Sequence, residues 1–324
     1  MKVVFCTFLI VVSATNVFAA NLTSVFQSNY YQHLSLNSQE KTLFQNVDIY
    51  LVPGLMSEVF LSNDRRSQVN FASLTGDYFG QHKKVLTYKY GFSVKLLSSS
   101  SRSVDEIKQN IHNGLEESRR ANRKAVFMTH SLGGLALLEE LVTQPQEQEG
   151  VAGIIFLQSP FYGSSIADFF FGEKLGLNDI LKPVLPFVNM SAETVGYLST
   201  ESRKTFMASK EQAVAQLVAK IPLFTVSGVV NGEPSMLTPA VNLMSYGCFN
   251  VVMNRCYSET LLPSPYSWGD GLVSLKSSLL PDADYVILEG VDHAETVVNL
   301  LFTDYEQTSM TEALFKILAA KVSQ

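Results

Sequence analysis

The sequence predicts an α/β fold with a mainly parallel central sheet and helices on both faces. Three observations carry this. Strand-like apolar runs alternate with helix-like stretches from about residue 47 to the C-terminus. Several runs, such as VAGIIFLQSP at 151–160, are apolar throughout, as expected of strands buried on both faces. One run, AVFMT at 125–129, passes through a short turn straight into a helical stretch reaching about Gln144.

The elements follow in order. The first residues, MKVVFCTFLIVVSATNVFAA, place one Lys before an apolar run from Val3 to Val12 and then small residues. This is the pattern of an export signal over residues 1–19, cut after Ala19. The run is only ten residues, too short for the roughly 20 that span a bilayer. Residues 20–46 read as a polar arm, or an early helix and strand. NVDIYLVPG reads as a buried strand ending at Pro53-Gly54, residues 57–82 as partly helical, and KKVLTYKYG (83–91) as a second strand. Ser103 then caps a helix with Glu106 three positions on and Val104, Ile107, Ile111 and Leu115 on one face. After AVFMT and its helix come the strands VAGIIFLQSP, LFTVSGVV (223–230) and DYVILEG (284–290). An amphipathic helix from Glu312 to Val322 closes the chain. Two inserts interrupt the alternation, at about 161–220 and 231–268. Residues 20–324 otherwise make a single domain, a size that buries a sizeable core.

Composition narrows the function. Apolar residues are 46% and charged residues 17%, a globular balance. The net charge of −6 and pI near 5.4 speak against nucleic acid as a partner. The basic pairs Arg119-Arg120 and Arg123-Lys124 sit late in a helix, where they complement its dipole. Of three cysteines, Cys6 lies in the signal. Cys248 and Cys256 remain and would form a disulfide in an exported protein, two reduced thiols being the alternative. No metal site is expected at these cysteines, because no His lies near them.

Chemistry points to the turn after AVFMT. In open α/β sheets, sites form beyond the carboxyl ends of strands. THSLGGL puts Ser131 there, between a buried strand and a helix, with Gly133 and Gly134 giving room. The alternative is a serine that only caps the helix. A serine needs a base to become nucleophilic. Among His33, His82, His112, His130 and His293, the last follows the final strand in EGVDHAET and is the candidate base. His82 reads as a polar-loop residue, His112 as solvated, and His130 as pointing away from Ser131. Asp270 in SWGDGLVSL is the candidate acid, ahead of Asp282, Asp284 and Asp292. Its alternative is a plain Asp-Gly turn residue. The N–H groups of Leu132 and Leu55 are the candidate oxyanion donors. For Leu55 the alternative is that Pro53-Gly54 is an ordinary strand-ending turn.

These segments resemble the secreted bacterial triacylglycerol lipases of the α/β-hydrolase superfamily. IYLVPGLMS resembles their oxyanion strand and loop, and THSLGGLAL their nucleophile elbow. QSPFYGSSIADF, WGDGLVSL and GVDHAETV resemble the later segments, in the same order, over about 47–300. The resemblance implies an α/β-hydrolase fold and hydrolysis of fatty-acyl esters through an acyl-enzyme on Ser131, with Asp270 and His293 completing the triad. It also implies a dedicated secretion or folding factor, and no cofactor. There are departures. Pro53 stands where the family has His, and Thr129 where the elbow has its first Gly. Glu295 stands where many relatives hold structural calcium with Asp, so no metal is expected, and the cysteines are closer together than the usual family pair. The first insert, rich in Phe169, Phe170, Phe171, Leu181, Leu185 and Phe187, would then be a helical lid over the acyl site, or alternatively an ordinary pair of packed helices. Rival readings keep the triad for a phospholipase, acyltransferase or thioesterase, or dispense with catalysis in a lipid-binding protein.

Overall fold

In the computed structural model the described residues are 19–54, 78–97, 103–165, 167–168, 192–230, 269–298 and 305–324. Residues 1–18, Leu55, the apolar stretch 169–191, the whole 231–268 insert and with it Cys248 and Cys256 lie outside them.

Two helices come first, α1 (Thr23–Tyr31) and α2 (Ser38–Gln45). The second starts from a reciprocal cap, in which Asn37 accepts the Glu40 N–H and Glu40 accepts the Asn37 N–H. The strands are β1 (Val47–Val52), β2 (Ser93–Leu96), β3 (Lys124–His130), β4 (Val151–Leu157), β5 (Leu223–Val229) and β6 (Asp284–Glu289). They form one sheet in the order β2-β1-β3-β4-β5-β6, and every pairing is parallel. The mainly apolar strands β1, β3, β4 and β5 are buried on both faces along nearly their whole length. The edge beyond β6 is covered by the chain's own start. Ala20 and Leu22 exchange backbone hydrogen bonds with Tyr285.

One core layer lies under α1, α2 and the C-terminal helix, with Phe26, Phe44, Phe315 and Leu318 packed on Ile49, Met128 and Ile155. The other lies under α4 (Val104–Arg120), α5 (Leu132–Thr143) and a 21-residue crossover helix, Thr200–Lys220. There Ile111, Leu138, Val214 and Leu217 pack on Tyr50, Phe127 and Ile154. That crossover helix, α7, follows α6 (Ala192–Leu198) and links β4 to β5, so the end of the expected 161–220 insert belongs to the regular alternation. The apolar positions foreseen for α4 are all buried. Among the described residues, no helix is long and apolar enough to cross a membrane.

Three local expectations are corrected. KKVLTYKYG is not a strand: Gly80–Lys84 is a short helix, α3, continued by a π-helical turn over Val85–Lys89. A short apolar run does not distinguish strand from helix by periodicity alone. Here Phe79, His82 and Leu86 are buried at helical spacing while Tyr88 points to solvent, and the strand forms only after Gly91 turns the chain at φ +71°. The last helix, α9, follows the short α8 (Leu275–Ser278) and spans Gln307–Val322, starting earlier than Glu312 because the Glu306 carboxylate caps it by accepting the Thr308 and Ser309 N–H groups. It is buried on nearly every side, with Glu312 inside and paired to Lys89, rather than amphipathic. His82 lies on α3, fully buried, and not in a polar loop.

Candidate active site

The strand order fixes where a site can form. Successive connections from β1 run outward to β2 and then back past β1 to β3, so the switch point lies between the carboxyl ends of β1 and β3. Gly54 and Ser131 stand at those two ends. Ser131 joins β3 to α5 with φ 53° and ψ −125°, a conformation that costs a non-glycine residue roughly 1–3 kcal/mol. Hydrogen bonds hold it there: its N–H donates to Leu157 O at 2.9 Å and its carbonyl accepts the Gly134 N–H at 3.0 Å. Gly133 is required by packing, since a Cβ at that position would stand 2.5 Å from Val52 O. Thr129, in place of the expected small residue, is accommodated as a fully buried member of β3 between Val52 and Phe156.

The structure brings together the three side chains that the sequence singled out. His293 Nε2 is 2.9 Å from Ser131 Oγ, and His293 Nδ1 is 2.8 Å from Asp270 Oδ2. A carboxylate only accepts, so Nδ1 carries the proton and Nε2 presents its lone pair to the Ser131 hydroxyl. Asp270 and His293 are each about 1% exposed. Asp270 is held by the turn that follows it, its Oδ1 accepting the N–H groups of Leu272 (3.0 Å) and Val273 (2.7 Å), and the His293 N–H donates to Asp270 O. The competing acids are engaged elsewhere. Asp292 accepts the N–H groups of Ala294 and Glu295, and Asp284 pairs with Lys321. Glu295 returns the bond by accepting the Asp292 N–H at 2.7 Å. The loop carrying His293 is thus tied by an Asp-x-x-Glu box of the kind that starts helices, a signal present in VDHAET.

Three further residues stand behind this set. His130 does turn away from Ser131, and its ring nitrogens are engaged in the interior: Nε2 lies 2.8 Å from His293 O, and Nδ1 lies 2.5 Å from the hydroxyl of Tyr78. Tyr78 also accepts the Gly54 N–H at 3.1 Å. Gln158, at φ 48° just past β4, donates to Asp292 O and accepts from Thr296 Oγ1. Burial, reinforced by the His293 ring 4.7 Å away, holds His130 well below the ordinary histidine pKa, so it is neutral. Burial likewise raises Tyr78, which keeps its proton.

For a developing oxyanion, the Leu132 N–H is the first of α5 and has no partner within the helix by geometry. Leu55 lies outside the described residues. Among the described residues, one group has ligand atoms close enough for a metal, His112, Glu116 and Glu147. Arg119 already pairs with both carboxylates.

The six-stranded parallel sheet, its helices on both faces and the Ser131 turn at its switch point make this an α/β-hydrolase fold. Solved structures agree. The mature lipase BlEst2 of Bacillus licheniformis matches with TM-score 0.53 at 17% identity, over 83% of this chain and 88% of that one. The metagenomic carboxyl esterase MGS0156 matches with TM-score 0.58 at 17% identity, over 90% of this chain and 77% of that one. No protein-family model and no curated protein matches the sequence.

Proposed function

We propose that the protein is an exported serine ester hydrolase of lipase type, cleaving fatty-acyl esters through an acyl-enzyme on Ser131. The observation that carries this is the continuous contact of Ser131 Oγ, His293 and Asp270 at 2.9 and 2.8 Å. His293 Nε2 takes the Ser131 proton as Oγ bonds to the ester carbonyl carbon. The Leu132 and Leu55 N–H groups receive the negative charge that builds on the carbonyl oxygen. When the tetrahedral adduct collapses, the alkoxide leaves with the proton from Nε2. Water, deprotonated by the same nitrogen, then releases the fatty acid and restores Ser131. Asp270 stabilises the imidazolium formed in each half.

The preference for long acyl chains rests on the resemblance and on the apolar residues between 169 and 188, and export rests on the signal pattern of residues 1–19. Hydrolysis of p-nitrophenyl esters of graded chain length tests the reading. Wild type should hydrolyse them and react with a fluorophosphonate, and Ser131→Ala should do neither. Equal labelling of the two proteins would overturn it. Products from triglyceride, phospholipid and thioester substrates distinguish the lipase from its close rivals. The N-terminus of the exported protein should be Ala20.

A further inference from the structure

The side chains behind Ser131 form a directed chain of hydrogen bonds whose polarity follows by elimination. His293 O is a carbonyl and only accepts, so His130 Nε2, 2.8 Å from it, carries a proton. Neutral His130 therefore presents a lone pair at Nδ1, and the Tyr78 hydroxyl, 2.5 Å away, donates to it. With its own proton committed, the Tyr78 oxygen accepts the Gly54 N–H at 3.1 Å. All four residues are buried. One end is the residue just before Leu55, at the turn after β1. The other end is the backbone of His293 itself.

We propose that Tyr78 and His130 are positioning residues that lock Gly54, at the carboxyl end of β1, to the loop carrying His293, so that Gly54 and the base keep a common register about Ser131. This rests on the ester-hydrolase reading. The His293 loop has two anchors, and they meet at His130. Gln158 holds Asp292 O and also hydrogen-bonds the His130 side chain, whereas His130 holds His293 O and, through Tyr78, Gly54. Neither Tyr78 nor His130 is placed to touch the reacting atoms. Their effect is on where those atoms' partners stand.

Tyr78→Phe is the direct test. It retains the ring that packs edge-on against Phe79 and His130 and removes only the oxygen. It should lower kcat about 10- to 100-fold, the scale of an ångström's misplacement, with KM changed less than about twofold. The rate of fluorophosphonate labelling should fall in parallel. His130→Gln can still offer an amide N–H toward His293 O while losing the Nδ1 acceptor. It should fall to the level of Tyr78→Phe, and His130→Ala below both. The double variant Tyr78→Phe/His130→Gln should be no slower than the slower single variant, because both cut the same link. Rates are normalised to the fraction of sites the probe finally labels, and melting is followed for each protein. Should Tyr78→Phe fail to fold, His130→Gln against His130→Ala carries the test. Wild-type kcat and labelling rate in Tyr78→Phe, whatever its melting temperature, overturn the proposal, as do losses that multiply in the double variant. A wild type inert to both esters and probe overturns the hydrolase reading first, so the two failures are distinguishable.

Discussion

Gly54 lies directly against Ser131: a methyl carbon at position 54 would stand 2.7 Å from Ser131 Cβ, 3.3 Å from its Oγ and 3.0 Å from His130 O. Two of those atoms belong to the strained turn itself, which hydrogen bonds to Leu157 and Gly134 prevent from giving way. Gly54→Ala therefore has to displace either the nucleophile or the turn after β1. We expect kcat/KM for a p-nitrophenyl ester to fall by roughly 100-fold or more while the circular dichroism spectrum stays that of wild type. Wild-type activity in this variant would mean that the two segments are not held against one another in solution.

Asp270 should matter through the tautomer it selects. Asp270→Asn can keep the bonds to the Leu272 and Val273 N–H groups through its remaining oxygen, which turns its amide N–H₂ toward His293 Nδ1. Nδ1 must then accept, and the ring proton moves to Nε2, facing Ser131. A loss in kcat on the order of 10⁴ follows, with little change in melting temperature. Steady-state kinetics near pH 8 measure the first and differential scanning calorimetry the second.

Most of this architecture was legible in the residues. The strands with unbroken apolar runs, the Ser131 turn, Asp270 and His293 lie where the pattern places them, because burial on both faces leaves a strong and simple signal. The run at 83–91 was not legible, since Val85 and Leu86 suit a strand as well as a helix and only Phe79 and His82 upstream reveal the helical stripe. His130, Tyr78 and Gln158 were missed for another reason. Their roles are contacts at separations of 52, 163 and 134 residues, and no local spacing encodes those. The Asp292-x-x-Glu295 box is local and is written in VDHAET, but the same Asp292 also fits the pattern of a rival acid, which hides its part as a loop cap.

Thr129 offers a test of stability apart from activity. It is fully buried two residues before Ser131, and its Oγ1 has no hydrogen-bond partner among the described residues. A buried hydroxyl left without a partner costs about 1–3 kcal/mol. Thr129→Val replaces it with a methyl group of similar size and keeps the β-branched shape that β3 favours. The variant should unfold at higher denaturant concentration, by roughly 1 kcal/mol, with activity within about twofold of wild type. A destabilised variant would mean that the hydroxyl has a partner in solution.

His82 should set part of the acid limit of the fold. It is fully buried on α3, with Nε2 2.6 Å from Thr296 O and Nδ1 2.8 Å from Thr311 Oγ1, so it ties the stretch after His293 to α9. Burial pushes its pKa down to about 4, against smaller opposing pulls from the hydrogen bond to Thr296 O and from the charge of Glu306. In the unfolded chain the same ring titrates near 6.5. Between these values the unfolded state binds the extra proton, so stability falls as pH falls through the window and is intact above it. The full loss by pH 4 is on the order of 3 kcal/mol from this one group. His82→Gln keeps hydrogen-bonding atoms and cannot titrate there. Its melting temperature should therefore decline less than that of wild type between pH 7 and 4.5, although His130, depressed in the same direction, preserves part of the decline. Parallel curves for the two proteins across that window would show that His82 is protonated, or exposed, in the folded state.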